Sequence, residues 1–181
     1  MGLLDAYGNT LGGILVAVEP NIQGWLRNGQ AFSATTGLLA TATNANLTIG
    51  GMCIFNPANS GKSVLIYSMH VFTTVTSICR LNAVTADEAF GNPLTPNNMN
   101  LAGGTSVVTC NSSANSVAAS VTRHGIELAI VTQGLSSAPN DVITNGGYIL
   151  LPIGSAHGVA VYPFVATAGN NFAVNAKWIE F

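Results

Sequence analysis

The clearest pattern in the chain is a strict alternation between residues 64 and 75. Leu65, Tyr67, Met69, Val71, Thr73 and Val75 fall on one face, with Ser68, His70 and Thr74 on the other. A period of two predicts a strand with one buried face. The C-terminus repeats the pattern: Phe172, Val174, Ala176 and Trp178 share one face, and Ala173, Asn175, Lys177 and Ile179 the other. Lysine is costly to bury without a partner, so this register places Trp178 in a core and leaves the Lys177 face wetter. Ile126, Leu128 and Ile130 alternate with Glu127, Ala129 and Val131 in the same way.

Other apolar segments are less regular. Ala31 to Thr43 is small and Thr-rich, and Leu47 to Phe55 carries a plausible bulge at Gly50-Gly51. Ile78 to Val84 either continues the strand before it or begins that strand's partner. Asn56-Pro-Ala-Asn-Ser-Gly61 reads as a hairpin turn, and Asn145-Gly-Gly as a turn before Tyr148 to Leu151. Thr105 to Cys110 and Ser116 to Thr122 predict a hairpin across residues 111–115. Gly158 to Ala166 and Phe172 to Phe181 predict another across Thr167-Ala-Gly-Asn-Asn. Thr85-Ala-Asp-Glu-Ala-Phe-Gly could form one helical turn, capped by Thr85 and Glu88, inside a loop over 85–104. A loop of that length is usually functional or an interface.

These segments make about eight to ten strands and no long helix. The expected fold is all-β: a single β-sandwich or jelly-roll domain over residues 31–181, with an N-terminal arm over residues 1–30. No repeat of 20–50 residues stands out. In the arm, Leu11-Gly-Gly-Ile-Leu-Val-Ala-Val is apolar but too short for its own core, and residues 19–29 read as turn and loop. It either lies on another surface or adds an edge strand to the domain. The first reading makes Leu3, Leu4, Tyr7, Leu11, Ile14, Leu15, Val16 and Trp25 the candidate interface residues.

Composition sharpens this picture. The 181 residues are 48% hydrophobic, yet only 7% are charged, against roughly 25% in an ordinary soluble domain. Ser, Thr and Asn carry the polarity. Charge normally keeps a surface solvated and monomeric, and interface cores are depleted of it. The deficit therefore points to surface buried in an assembly, the other reading being a protein that works with a neutral polar surface. The five basic residues, Arg27, Lys62, Arg80, Arg123 and Lys177, are scattered and leave no footprint for nucleic acid. No apolar run is long enough for a membrane helix, and the N-terminus lacks the basic region of a secretory signal. The Met-Gly start lacks the Ser or Thr of a myristoylation site, with Ala6 in its place.

Candidate chemistry is sparse. Cys53, Cys79 and Cys110 are odd in number and lack metal-ligand spacing, so buried free thiols from a reducing cytoplasm are expected. Pro57-Ala-Asn-Ser-Gly-Lys-Ser resembles the end of a phosphate-binding loop. Asn56 stands where the first glycine should be, and a strand follows where a helix is needed. His70, His124 and His157 lie far apart. Asp87 and Glu88 are better explained by a helix N-terminus than as paired catalytic carboxylates. No nucleophile elbow appears. The expectation is no enzyme, no cofactor and no metal. Trp25, Tyr7, Phe90 and Phe32 could build a sugar-binding platform, while Trp178, Phe172, Tyr67 and Tyr148 fit a core.

Phe32-Ser-Ala-Thr-Thr-Gly-Leu-Leu-Ala-Thr-Ala-Thr, then Phe55-Asn-Pro-Ala-Asn-Ser-Gly-Lys-Ser-Val-Leu-Ile-Tyr-Ser, with the ending Phe172-Ala-Val-Asn-Ala-Lys-Trp-Ile-Glu-Phe, resembles tailed-phage virion proteins. The likeness covers residues 31–75 and 158–181 and is closest to the capsid decoration, or cement, proteins. It implies a homotrimer gluing neighbouring capsomers, with the major capsid protein or other virion proteins as partners. The implied location is the virion, after synthesis in the host cytoplasm. The family has no catalytic residues to carry over. The alternative is a phage tail, fibre or host-receptor-binding module with a jelly-roll fold.

Overall fold

The computed structural model describes residues 23–40, 51–87, 92–113, 127–133, 140–141, 148–163 and 171–181. Two antiparallel sheets face each other as a β-sandwich. The first holds β1 (Ala31–Thr35), β2 (Leu39–Ala40), β4 (Val64–Thr73), β7 (Asn97–Asn98), β10 (Asn140–Asp141), β11 (Ile149–Leu151) and β13 (Asn171–Glu180). Its order is β10-β4-β13-β1-β7, with β11 also beside β4 and β2 beside β13. The second holds β3 (Gly51–Asn56), β5 (Ser77–Val84), β6 (Asn92–Leu94), β8 (Thr109–Ser113), β9 (Glu127–Gln133) and β12 (His157–Pro163), in the order β6-β8-β3-β12-β5-β9.

Among the described residues no two consecutive strands pair with each other. The expected hairpins are therefore corrected. Residues 57–61 connect β3 to β4 across the two sheets, β12 and β13 lie in different sheets, and β5 is neither a continuation nor a partner of β4. β8 pairs with β3 and β6; its expected partner, residues 116–122, lies outside the described residues. Turn residues reverse the chain locally, but burying both apolar faces selects the sheet that the next strand joins.

The core lies between the inner faces. Phe172, Val174, Ala176 and Trp178 of β13 are all buried in it, as their alternation predicts. The Trp178 ring stacks on Phe32, its cross-strand neighbour, with centroids 6.2 Å apart. Phe32 is thus core and not part of an exposed platform. The face assignment of β4 needs one correction. Lys177 pairs with Ser68 but Trp178 pairs with Ile66, leaving Tyr67 as an extra residue in a bulge. The bulge moves Val64 and Ile66 onto the core side with Met69 and Val71. Leu65 and Tyr67 do not share that face. The outer side of β13 is also less wet than expected at its end: Ile179 is buried, while Asn175 and Lys177 are half-buried.

β3 and β12 are buried along nearly their whole length. Met52, Ile54, Val159 and Val161 join the main core, while Cys53, Phe55, Val84, Ala160 and Tyr162 form a second cluster. Inside it the Tyr162 hydroxyl donates to Asn82 Oδ1 at 2.9 Å. Gly158 makes the β12–β3 approach possible, because a Cβ there would collide with the Ile54 carbonyl and the Phe55 backbone.

Three further expectations change. Residues 23–27 form a short helix where turn and loop were expected. Residues 85–87 are not helical, and 88–91 lie outside the described residues. The Asp87 carboxylate instead accepts from Thr109 Oγ1 at 3.0 Å and Asn111 Nδ2 at 2.8 Å, tying its segment to β8. The segment 92–104 is also not wholly loop, since it contains β6 and β7.

Candidate functional site

The most exposed large apolar side chain of the described residues is Leu101, at 99%. It sits on a short loop held by two asparagines. Asn98 Nδ2 donates to the carbonyls of Gly29 and Gly104, both at 2.8 Å, while Asn98 Oδ1 accepts from the Asn100 amide at 2.9 Å. Asn100 Nδ2 donates to the Arg27 carbonyl at 2.9 Å, and Asn100 Oδ1 accepts from the Ala102 amide at 3.1 Å. The Met99 amide donates to the Ala31 carbonyl at 2.9 Å. Gly103 lies so close that any Cβ would overlap the Asn98 side chain. The loop is thereby fastened to the helix over 23–27 and to β1, beside the β7 edge of the first sheet. Asparagine suits this work because one side chain supplies both donors and acceptors.

A buried carboxylate anchors the next segment. Glu180 is the core-side residue at the end of β13 and is fully buried. Its oxygens accept from the Ser106 hydroxyl, from the Val107 amide at 3.2 Å and from Trp178 Nε1 at 3.1 Å. Lys62 Nζ stands 3.8 Å away and is partly in water. The group is therefore held mainly by hydrogen bonds from one buried and two half-buried donors, which is what makes such a burial tolerable. Asn56 does similar work at the end of β3. Its Nδ2 faces the carbonyls of Lys62, Leu151 and Pro152 at 3.0, 3.2 and 3.2 Å.

Two concavities lie on the sandwich. A cleft of about 390 Å³ is bordered by Ile149, Leu150 and Pro152 on the first sheet's side and by Ala83, His157 and Val159 on the second's. Leu150 is 48% exposed there. The His157 ring is fixed through Nδ1 against the Ser155 carbonyl, and Ser155 Oγ donates to the Pro152 carbonyl at 2.6 Å. Ala156, between them, takes a φ of 49°, a left-handed conformation uncommon for a residue other than glycine. The second concavity, about 300 Å³, is a trough on the outer face of the first sheet, lined by Thr35, His70, Phe72, Ala173, Val174 and Asn175. Thr35, Asn175 and His70 occupy one cross-strand row, and His70 Nε2 lies 3.0 Å from Ser68 Oγ.

Of the residues read from sequence as an interface, Leu3, Leu4, Tyr7, Leu11, Ile14, Leu15 and Val16 lie outside the described residues. Trp25 is on the short helix and half-buried. Of the other platform candidates, Tyr7 and Phe90 lie outside the described residues. His70 and His157 fall in different concavities, and His124 is outside the described residues. Among the described residues no three His, Cys, Asp or Glu side chains are grouped to hold a metal ion. No described helix is long and apolar enough to cross a membrane. Leu101 and the cleft escaped the sequence reading because a lone leucine in an Asn- and Gly-rich stretch has no period, and a cleft between distant strands has no local signature.

The three cysteines are buried free thiols. Burial pushes the Cys79 thiol up to about 12 and raises Cys110 further. Thiolate is the reactive form, so iodoacetamide at pH 8 should modify none of these three in the native protein and all three after denaturation. Alkaline pH gives the linked effect. An unfolded thiol ionises near 9.0 while folded Cys79 holds its proton to about 12. This contribution to stability is complete below the unfolded value and falls away as pH rises through that window. Melting temperature should drop steadily above pH 9; a flat profile would show that the thiols are not buried.

No protein-family model, curated protein or solved structure matches the chain.

Proposed function

We propose that this is a structural virion protein that decorates and stabilises a phage capsid, through contacts between its own copies and with the major capsid protein. The observation that carries the reading is a charge-poor sandwich surface. The chain has five Lys and Arg and seven Asp and Glu in 181 residues, and Glu180 among them is buried. Large apolar side chains are nevertheless exposed, including Leu38, Leu101, Ile153 and Phe181. A surface poor in charge favours association. Asn56, Asn98, Asn100 and Glu180 each use two or more side-chain hydrogen bonds to hold segments of the fold in place, as suits a rigid building unit. The assembled form in this reading is a homotrimer on the virion, working without a cofactor.

The test is to mix the purified protein with capsids that lack it and to sediment the particles. Saturable binding that scales with the number of capsomers, with raised resistance of the capsid to heat, is the expected result. Failure to co-sediment with any virion component would overturn the proposal. A tail, fibre or host-binding module is the second reading, favoured by the trough around His70, Phe72 and Asn175. Binding at a few sites confined to the tail would select it.

A further inference from the structure

The Leu101 loop and the inter-sheet cleft stand on opposite edges of the same sheet. The loop is fixed beside β1 and β7, at one end of the order β10-β4-β13-β1-β7. The cleft is bordered by β11, which lies along β4 at the other end. One is an apolar projection and the other an apolar recess, and a single chain cannot bring them together. We propose that copies of this chain associate head to tail, with Leu101 of one copy seated in the cleft between β11 and β12 of the next. This rests on the assembly reading above and gives it a specific joint.

Three observations favour a second copy as the occupant. The projection is pre-organised: Asn98 and Asn100 latch its loop to Gly29, Arg27 and Gly104, so presenting Leu101 requires little further ordering on binding. Neither segment carries formal charge. No Asp, Glu, Lys or Arg occurs in residues 92–113 or 148–163, which supply the loop and most of the cleft, although Arg27, whose carbonyl holds Asn100, is exposed at the loop's border. Contact made by the two segments themselves removes no ion of theirs from water, the costly part of burying polar surface. The sizes also agree: a recess of about 390 Å³ admits a leucine side chain. Because the two patches differ, the contact is heterologous, and it makes a ring if the rotation between copies closes.

The test uses the full chain with two exposed substitutions of like charge, Leu101→Asp on the projection and Leu150→Asp at the cleft, so that the two altered surfaces repel each other. Far-UV circular dichroism spectra of both should match the parent, since neither side chain belongs to the main core. Analytical ultracentrifugation at micromolar concentration should show self-association of the parent, and each variant alone should associate about tenfold or more weakly. A one-to-one mixture of the variants retains one intact projection and one intact cleft, so it should form dimers and stop there. Dimers confined to the mixture are the result that a symmetric contact cannot give. If the parent is oligomeric and Leu101→Asp leaves it so, the joint is wrong while the assembly reading stands. A mixture that stays monomeric, or a parent that is monomeric in solution, also overturns the joint; capsid binding tests the assembly reading separately.

Discussion

Replacing Trp178 with Ala should leave mostly insoluble or molten protein. The indole is fully buried in the inner layer, stacks on Phe32 and donates through Nε1 to Glu180 at 3.1 Å. Truncating a buried aromatic typically costs about 3–5 kcal/mol, a large part of the roughly 5–15 kcal/mol that holds a domain together. Lys177, one position earlier and half-buried on the outer face, is the control: Lys177→Ala should change stability by less than about 0.5 kcal/mol. Paired denaturant melts read both effects. A Trp178→Ala protein that melts like its parent would invert the register of β13 described above.

Replacing Glu180 with Ala should be nearly as severe. The Ser106 hydroxyl, the Val107 amide and Trp178 Nε1 would all lose their acceptor, the indole in a fully buried position and the other two where they are half-buried. The expected loss is a few kcal/mol, at about 1–3 kcal/mol for a buried donor left without an acceptor and less for the half-buried ones. Glu180→Gln keeps one acceptor oxygen and should recover part of that loss. Lys62→Ala should cost about 0.5 kcal/mol or less, because that ammonium is partly exposed and exposed ion pairs are weak. Amide hydrogen exchange supplies a local readout, with Val107 and Val108 losing protection first. Equal effects at Lys62 and Glu180 would mean that the ion pair, and not the three hydrogen-bond donors, holds the segment.

The fold class was legible because the sheets leave a periodic trace in the strands that face water on one side. β13 alternates cleanly over Phe172, Val174, Ala176 and Trp178, and the structure buries all four. β3 and β12 leave no such trace. Gly51–Asn56 and Gly158–Pro163 are continuous buried runs, so no period can assign their faces. Glu180 shows a different limit. Its place in the alternation put it on the core side, but only residues 106 and 107, far away in the chain, make a carboxylate tolerable there. The Leu101 loop lay within a stretch long enough to suggest an interface, yet the latch by Asn98 and Asn100 depends on carbonyls of residues 27 and 29.

By itself the sequence determined that this chain forms strands, that Trp178 is core, that its cysteines are poor candidates for a framework, and that its surface is short of charge. Each of these follows from local period, residue chemistry or composition, which need no partner to be read. The tertiary structure alone decided which strands pair. Asparagine- and glycine-rich turns permit a reversal within one sheet or a step to the facing sheet at similar local cost, and burial of two apolar faces against each other chose the step. It also decided where β4 changes face, because a bulge is defined by two residues opposing one on another strand. The projection and the cleft likewise arise from distant segments, and a chain read in order carries no record of which of its surfaces will stand on opposite edges.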